Sequence, residues 1–274
     1  NYATPYTQLQ SGKNDLNAYE FQYSRELSKG INNYIKFGQS YRLPNVDDLS
    51  GHCGYQLSCS TGLILNPQVN KDLEVGSVYN VGSNRGYLKL YRSIITNEIL
   101  FDKSSSGELG YNVNVPKSKR QGVEVSNSYK YNNDLSVNSS VNLIDAVFLT
   151  DTFGAMTGVN GKRISGTPNY VLGLGFDYSI DAHNALSWKT RVVGNQYSQG
   201  DNANLYKLGS YSVTDLSYRW SEKNWSLTAN VNNIFDKKYF DTSILAASNS
   251  SARPYVVYPN FNRNFMLTAK YSFE

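Results

Sequence analysis

The sequence predicts an all-β fold of one particular kind, an antiparallel transmembrane β-barrel. Apolar and polar residues alternate with a period of two, which only a strand converts into two different faces. The alternating runs are longer than the roughly 5 to 6 residues typical of strands in soluble domains. The connections between runs alternate between short and long. No segment of the 274 residues resembles the roughly 20 consecutive apolar residues of a spanning helix.

Eleven runs are candidate strands, and most reach or exceed the roughly 9 to 11 residues that a tilted strand needs to cross a bilayer. The pattern is clearest in the last run, where apolar residues occupy the odd positions from Phe265 to Phe273 and polar residues occupy most even positions. In chain order the candidate strands are residues 14–27, 30–42, 68–81, 85–101, 108–130, 134–149, 167–180, 183–197, 206–220, 224–235 and 262–273.

The connections indicate which end of the sheet faces which side of the membrane. Outer-membrane barrels have short periplasmic turns and longer extracellular loops, so we expect the short connections on the periplasmic side. The short connections are residues 28–29, 82–84, 132–133, 181–182 and 221–223. The longer ones are residues 43–67, 102–107, 150–166, 198–205 and 236–261.

Aromatic residues make up 14% of the chain, with 23 Tyr, 11 Phe and 3 Trp. Many of them fall near the ends of the runs, where the two interfacial girdles of a barrel lie. We expect girdle positions for Tyr41, Tyr91, Tyr129, Tyr131, Tyr178, Tyr197, Tyr218, Trp220, Trp225 and Tyr271.

The strand count has a topological consequence. A complete single-chain barrel has an even number of strands, whereas this chain has eleven, which is half of the 22 found in plugged outer-membrane transporters. We therefore expect residues 1–274 to be part of a larger barrel. The alternative is a twelfth strand within residues 1–10, which would make a small complete barrel acting as a passive channel.

Composition argues against several other functions. The net charge of +4 is dispersed, without the clustered Lys and Arg of a nucleic-acid footprint. Two histidines and two cysteines show no metal-ligand spacing. Neither histidine sits in a context that indicates a Ser-His-Asp arrangement. We expect no catalytic residues, metal or cofactor, and an outer-membrane enzyme is the least favoured alternative.

Four strings in order resemble the TonB-dependent outer-membrane receptor family. Residues 41–49 read Tyr-Arg-Leu-Pro-Asn-Val-Asp-Asp-Leu, like the stretch that follows a mid-barrel strand in that family. Asn-Pro at 66–67 with Asp-Leu-Glu-Val-Gly at 72–76 resembles the following strand. Asn-Val-Asn at 112–114 with Gln-Gly-Val-Glu at 121–124, and Val-Asn-Asn-Ile-Phe-Asp-Lys-Lys-Tyr at 231–239, resemble two later strands.

The resemblance implies the C-terminal half of a 22-stranded barrel in the Gram-negative outer membrane. It implies uptake of a scarce ligand such as an iron-siderophore or cobalamin. The implied partners are outer-membrane lipid, the barrel assembly machinery, the TonB-ExbB-ExbD energy-transduction system and a small-molecule ligand. The family's N-terminal plug domain and TonB box have no counterpart in residues 1–274, so this chain supplies wall and loops.

Cys53 and Cys59 lie in the loop of residues 43–67, which the topology places outside the cell. Thiols exported through an oxidising compartment form disulfides, so we expect a local Cys53–Cys59 disulfide. The alternative adds His52 to the two cysteines as a metal or haem contact, although no other histidine lies nearby.

Ligand binding has candidates in a second loop. Arg253, Tyr255 and Tyr258 lie close together in the loop of residues 236–261, and a cation among aromatic rings can hold an anionic or aromatic ligand. His52 is a further loop candidate. Lys189 and Arg191 are in phase on one strand, opposite the Trp188 and Val192 face, and we expect both to line the lumen.

Overall fold

The computed structural model describes residues 15–45, 48, 65–102, 111–153, 156–245 and 255–273. Among them, eleven strands form one antiparallel sheet: β1 (Tyr19–Ser28), β2 (Ile31–Arg42), β3 (Gln68–Val81), β4 (Asn84–Asp102), β5 (Tyr111–Lys130), β6 (Leu135–Phe148), β9 (Tyr170–Ser179), β10 (Asn184–Val193), β13 (Tyr211–Glu222), β14 (Trp225–Asn232) and β17 (Asn264–Tyr271). The intervening numbers belong to six short strands: β7 (Thr152–Phe153), β8 (Met156–Thr157), β11 (Gln196–Tyr197), β12 (Lys207–Leu208), β15 (Phe240–Leu245) and β16 (Tyr255–Pro259).

Each strand of the main sheet pairs with the next in chain order, from β1 to β17. The eleven predicted strands are therefore confirmed, and most bounds agree within a few residues. The predicted strand 183–197 is too long, because the main-sheet strand ends at Val193, before Gly194 and Asn195. The predicted strand 206–220 begins early, since residues before Tyr211 belong to a separate short strand.

Three of the long connections contain hairpins that the alternation did not indicate. β7 pairs with β8, β11 with β12, and β15 with β16. The two shorter pairs contribute only two residues from each strand, too few for a period of two to be recognised. These hairpins all lie at the end of the sheet that carries the long connections.

Cross-strand register separates the main sheet into two faces. Leu73 lies opposite Phe37, Leu90 opposite Val123, and Ala229 opposite Leu267. We call this side the outer face, and its apolar side chains are exposed, with Leu73 at 47% and Leu267 at 75%. The opposite side, the polar face, carries polar and charged residues at the alternate positions. An apolar outer face and a polar interior are the arrangement of a transmembrane barrel wall.

The girdle expectation holds for only part of the aromatic set. Trp225 pairs with Tyr271 on the outer face near the short-turn end, with ring centroids 4.9 Å apart. Tyr91 contradicts the expectation, because it lies in the middle of β4 on the polar face, above Gly122. Tyr197 lies in β11, outside the main sheet. For Tyr91 and Tyr197, nearness to a run end was therefore a poor guide.

The short-turn end is held by residues with unusual backbone conformations. Gly30, between β1 and β2, has φ +81° and Lys223, between β13 and β14, has φ +50°. A Cβ at Gly30 would lie 2.3 Å from the Asn80 carbonyl oxygen, so the turn requires glycine for space as well as for φ.

The turn between β9 and β10 is organised by a carboxylate. Asp181 Oδ1 accepts hydrogen bonds from the backbone N–H groups of His183 at 2.7 Å and Asn184 at 2.9 Å. The Asn184 side-chain amide also donates to both carboxylate oxygens. The Asn184 amide and the His183 N–H hold the pKa of Asp181 below its ordinary value, because they stabilise the ionised form.

The buried core lies at the long-loop end. One cluster contains Val115, Ala146 and Phe148, each fully buried, packed with Val159 and Ile164 from the connection after β6. A second contains Val193, Tyr211 and Val213. Among the described residues, the middle of the wall is a single layer with apolar side chains exposed outward, as expected for a surface that lipid covers.

Candidate functional site: the polar face and the loop end

The polar face of the first strands carries a ladder of alternating charges. Lys36 Nζ lies 3.7 Å from Glu20 and 3.8 Å from Glu74, linking β1, β2 and β3. Lys89 Nζ lies 2.6 Å from Glu124, linking β4 and β5. Each cation therefore has an acidic neighbour on an adjacent strand. The ladder neutralises this part of the wall internally, and water in the lumen screens it.

A hydroxyl joins the same ladder. Tyr34 donates a 2.6 Å hydrogen bond to Glu74, which already pairs with Lys36. The Tyr34 ring also lies over Gly76, where an added Cβ would come within 2.5 Å of it. Gly76 thus provides the space that lets Tyr34 reach the carboxylate.

Closer to the long loops, a buried carboxylate follows an interruption in strand pairing. Asn97 has φ +55° and faces Pro116, and no pair forms between them although Thr96–Lys117 and Glu98–Val115 pair on either side. Glu98, 3% exposed, accepts a hydrogen bond from Ser118 and forms an ion pair with Arg120. Proline has no backbone N–H to donate to the strand opposite. The unusual conformation of Asn97 therefore breaks no hydrogen bond from Pro116.

Small residues create a concavity in the polar face further along the sheet. Ser126, Ser140, Gly173 and Gly175 line a cavity of about 720 Å³, together with longer polar residues that include Asp177 and Lys189. Asp177 accepts hydrogen bonds from Asn138 at 2.8 Å and Ser187 at 2.6 Å. The cavity has room for an inserted side chain or a small polar ligand.

Lys189 and Arg191 both lie on β10, on the face that carries Gly175 and Gly173 of β9. Arg191 places its guanidinium carbon 5.9 Å from the Tyr211 ring centre, and Tyr211 stacks against Tyr239 at 4.7 Å. Neither Lys189 nor Arg191 forms an ion pair with another described residue. Their assignment as lumen-lining residues stays a prediction.

The loop candidates are only partly within the described residues. Tyr255 and Tyr258 lie in β16, opposite Leu245 and Thr242 of β15. Since the four β16 residues from Tyr255 to Tyr258 pair consecutively, the two tyrosines lie on opposite faces of this hairpin. Tyr255 approaches Tyr206, with ring centroids 6.1 Å apart. Arg253, His52, Cys53 and Cys59 lie outside the described residues, so the loop site and the disulfide stay predictions.

The motif residues hold the bases of the long loops. Arg42 at the end of β2 donates from Nη2 to both carboxylate oxygens of Asp48, each at 2.7 Å. Asn112 donates to the Asp48 carbonyl at 3.1 Å. Asn114 exchanges two hydrogen bonds with the backbone of Asn66, at 2.7 and 3.0 Å. Three of the four motif strings therefore contact one another at the loop end.

The fourth motif caps β14 through its second asparagine. Asn233 has φ +53° and is 2% exposed. Its side chain accepts from the Lys237 N–H at 2.8 Å and donates to the Lys237 and Phe261 carbonyls. Asp236 accepts from the Arg263 N–H at 2.8 Å. The motif thus ties both ends of the 233–263 connection to the wall.

Sequence reasoning missed a polar network that interlocks the loops after β6, β10 and β14. Asp201, 1% exposed, accepts from the N–H groups of Leu205 and Tyr206. Asn202 accepts from Ser165 of the preceding loop at 3.0 Å. The hydroxyl groups of Ser198 and Ser243 form a hydrogen bond of 2.6 Å. The Gly, Asp and Asn residues at 200–204 signal a turn, but not its long-range partners.

Among the described residues, no group of three or more His, Cys, Asp or Glu side chains is placed to hold a metal ion. In the same part of the chain, no helix has the length and apolar character needed to cross a membrane.

A family profile described as TonB dependent receptor-like, beta-barrel matches residues 11–234. The chain is 29% identical over 224 residues to the ferrichrome outer membrane transporter/phage receptor of Escherichia coli K12, an alignment covering 78% of this chain and 27% of that protein. This chain thus spans about a quarter of its curated relative.

Solved structures show the same fold. The copper transporter OprC superposes with a TM-score of 0.75 at 18% identity, over 93% of this chain and 39% of that one. The ferric yersiniabactin uptake receptor FyuA of Yersinia pestis superposes with a TM-score of 0.72 at 19% identity, over 93% and 37%. The chain belongs to the TonB-dependent receptor family, and its described residues form eleven antiparallel strands of a Gram-negative outer-membrane β-barrel.

Proposed function

We propose that the intact protein imports a scarce ligand across the outer membrane by TonB-dependent transport, with an iron-siderophore complex as the favoured cargo and cobalamin as the alternative. The relatives named above include a ferrichrome transporter and a ferric yersiniabactin receptor, which favours a siderophore. We assign residues 1–274 to the C-terminal half of a 22-stranded barrel.

The observation that carries this proposal is the open sheet. Within the described residues, β1 and β17 each pair on one side only. Unpaired strand edges in a bilayer leave backbone groups without partners, at a cost of several kcal/mol each. Further strands of the intact barrel would satisfy both edges, and a plug domain would occupy the space against the polar face.

Different parts of the chain would have different roles in transport. The loop candidates Arg253, Tyr255, Tyr258 and His52 would contact the ligand at the extracellular side. Lys189 and Arg191 form no ion pair with a described residue, although Asp215 lies opposite Lys189 on β13, and both cations are suited to carboxylates of the plug. The paired charges of β1–β5 would form fixed wall, and TonB-ExbB-ExbD would act on the plug.

The test uses the complete gene in a Gram-negative host that lacks its own siderophore receptors. Uptake of radiolabelled ferric ferrichrome, a ferric catecholate and labelled cobalamin is measured with and without TonB. We expect uptake of one siderophore class, lost without TonB while surface binding remains. TonB-independent uptake together with a steady open conductance would instead indicate a passive channel and overturn the proposal.

A further inference from the structure

A buried carboxylate organises the tip of the hairpin formed by β11 and β12. Asp201 is 1% exposed, and its two oxygens accept hydrogen bonds from the backbone N–H groups of Leu205 at 3.0 Å and Tyr206 at 2.6 Å. Among the described residues, no cation forms an ion pair with Asp201. A buried carboxylate requires donors of this kind. Asp201 therefore fixes the main chain at Tyr206.

The hairpin tip, residues 198–206, is held on one side by the loop after β6 and by the end of β4. Asn202 accepts a hydrogen bond from Ser165 and donates one to the Phe101 carbonyl at 3.2 Å. The Asn204 side chain exchanges two hydrogen bonds with the backbone of Arg163, at 2.7 and 2.8 Å. These contacts fix the position of the tip relative to the main sheet.

On its other side, the hairpin tip is joined to β15. The Ser243 carbonyl accepts a hydrogen bond from the Gln199 N–H at 2.8 Å, and the Gln199 carbonyl accepts one from the Leu245 N–H at 3.1 Å. Leu245 lies opposite Tyr255 of β16. The position of Tyr255 is therefore tied to the same tip that Asp201 organises.

Two tyrosine rings meet as a result. Tyr206 and Tyr255 have ring centroids 6.1 Å apart and ring planes inclined at 52°. Tyr255 is 36% exposed, and Tyr206 is half-buried. Tyrosine combines an apolar ring with a hydroxyl that forms hydrogen bonds, and it is enriched at binding interfaces. Because Asp201 binds the Tyr206 N–H, this carboxylate determines where the Tyr206 ring lies relative to Tyr255.

We propose that Asp201 is a positioning residue that holds Tyr206 beside Tyr255, so that the two rings together contact the oxygen-rich iron complex that the protein transports. This inference rests on the proposed function, in which Tyr255 is a candidate ligand residue. Asp201 acts through the backbone of Tyr206 and does not itself contact the ligand.

The first measurement concerns the rings alone and needs no ligand. The intact protein is labelled with 3-fluorotyrosine, and the Tyr206 resonance is identified by its loss in Tyr206→Phe. We expect Tyr255→Leu to shift the Tyr206 resonance, because the neighbouring ring is removed, and Asp201→Ala to shift it in the same direction. An unchanged Tyr206 resonance in Asp201→Ala would overturn the positioning role.

The second measurement is the binding of ferric ferrichrome and of a ferric catecholate to the intact protein in detergent. We expect Asp201→Ala and Tyr206→Ala each to raise the dissociation constant about tenfold, the loss expected when an aromatic contact is removed. Combined in one protein, they should weaken binding no more than either alone, because both act through the same ring. Asp201→Asn keeps one acceptor oxygen and should retain part of the affinity.

Uptake separates positioning from folding. Loss of the Tyr206 contact should raise KM and leave the maximal rate per folded receptor unchanged. A purely structural role would instead reduce the amount of folded receptor at constant KM, and that result would overturn the proposal. Losses of affinity that add fully in the double variant would do the same, because Asp201 would then act independently of Tyr206.

The matched control is Asp181→Ala, because Asp181 also accepts hydrogen bonds from two backbone N–H groups in a turn, but at the short-turn end. It should leave the Tyr206 resonance and the dissociation constant unchanged, and an equal loss of affinity in this control would overturn the proposal. A wild-type protein that binds neither iron complex would overturn the proposed cargo and the ligand contact together. The fluorine resonance would still decide whether Asp201 positions Tyr206.

Discussion

The first and last parts of the sheet are stabilised in different ways. The front segment, β1–β6, has long strands, up to 20 residues in β5, and its polar face is crossed by ion pairs. The rear segment, β9, β10, β13, β14 and β17, has strands as short as 8 residues. Its cations Lys189 and Arg191 are unpaired among the described residues. Its stability must come from other contacts.

Those contacts lie in the loops. The buried Asp201 and Asn233 of the rear segment bind backbone groups of the connections, and the buried Asn202 donates to the Phe101 carbonyl at the end of β4. The front segment also anchors its loops, through Arg42 and Asn114, but it adds charged side-chain pairs within the wall. The difference indicates that the rear wall is fixed from its long-loop end, which leaves its polar face free to present charge to another surface.

Replacing Asn233, the residue that caps β14, should lower the free energy of unfolding more than any other substitution considered below. Asn233→Ala removes three side-chain hydrogen bonds from a residue with φ +53°. We expect the free energy of unfolding to fall by about 2 to 4 kcal/mol, because buried backbone groups lose partners and alanine disfavours this conformation. The urea midpoint of the intact protein in detergent measures the loss.

The neighbouring residue provides the control. Asn232 makes one side-chain hydrogen bond, to Asn264 at 2.8 Å, and Asn232→Ala should cost about 1 kcal/mol. Comparable losses for the two variants would contradict the view that loop anchoring, rather than strand pairing, stabilises the rear segment.

Removing one lysine charge from each segment should lower the free energy of unfolding by a smaller amount, and the loss should be greater in the front segment. Lys89→Gln breaks the 2.6 Å pair with Glu124 and the contact with the Tyr91 ring. Both partners are about a quarter exposed, so after allowing for screening we expect a loss of about 1 kcal/mol. Lys189→Gln should lower the free energy of unfolding by less than about 0.5 kcal/mol, because Lys189 forms no ion pair with a described residue. Equal urea midpoints for the two variants would remove the distinction between the segments.

The strands of the wall could be predicted from the sequence, whereas contacts that depend on neighbouring strands or loops could not. Main-sheet strands such as 68–81 follow from alternation, because each one separates lipid from a polar interior along its whole length. The Asn233 cap follows from sequence only in its local part, the two bonds to Lys237, because its bond to the Phe261 carbonyl joins residues far apart in the chain. Tyr91 was misplaced because a ring above Gly122 depends on a neighbouring strand, which composition does not reveal.

The loop network could not be predicted for a physical reason. Asn202 and Ser165 are far apart in sequence and meet only after the connections that follow β6 and β10 fold over the wall. Ser198 and Ser243 are likewise brought together by two different loops. Such contacts have no periodic signature, and the candidate ligand residues Tyr255 and Tyr258 lie in one of these connections, on a hairpin that alternation did not indicate.

The smallest expected effect concerns a single turn of the rear segment at the short-turn end. Asp181 binds two backbone N–H groups and the Asn184 amide, which lower its pKa in the folded protein. A carboxylate with a lowered folded-state pKa stabilises the fold above its unfolded pKa of about 3.9. This contribution disappears as the pH falls through the folded pKa, so the turn should weaken only in acid.

The carboxyl carbon shift of Asp181 in protein labelled at aspartate carboxyls measures this directly. We expect its titration midpoint to lie below that of a model peptide, and Asn184→Ala should move the midpoint upward, because the Asn184 side chain is the main donor to the ionised form. Unfolding measured at neutral pH should change little, since the exposed turn contributes locally. An Asp181 midpoint unaffected by Asn184→Ala would mean that backbone donors alone hold the carboxylate. The β9–β10 turn would then depend on main-chain geometry, and the connections of the rear segment would be tied by side chains only at the long-loop end.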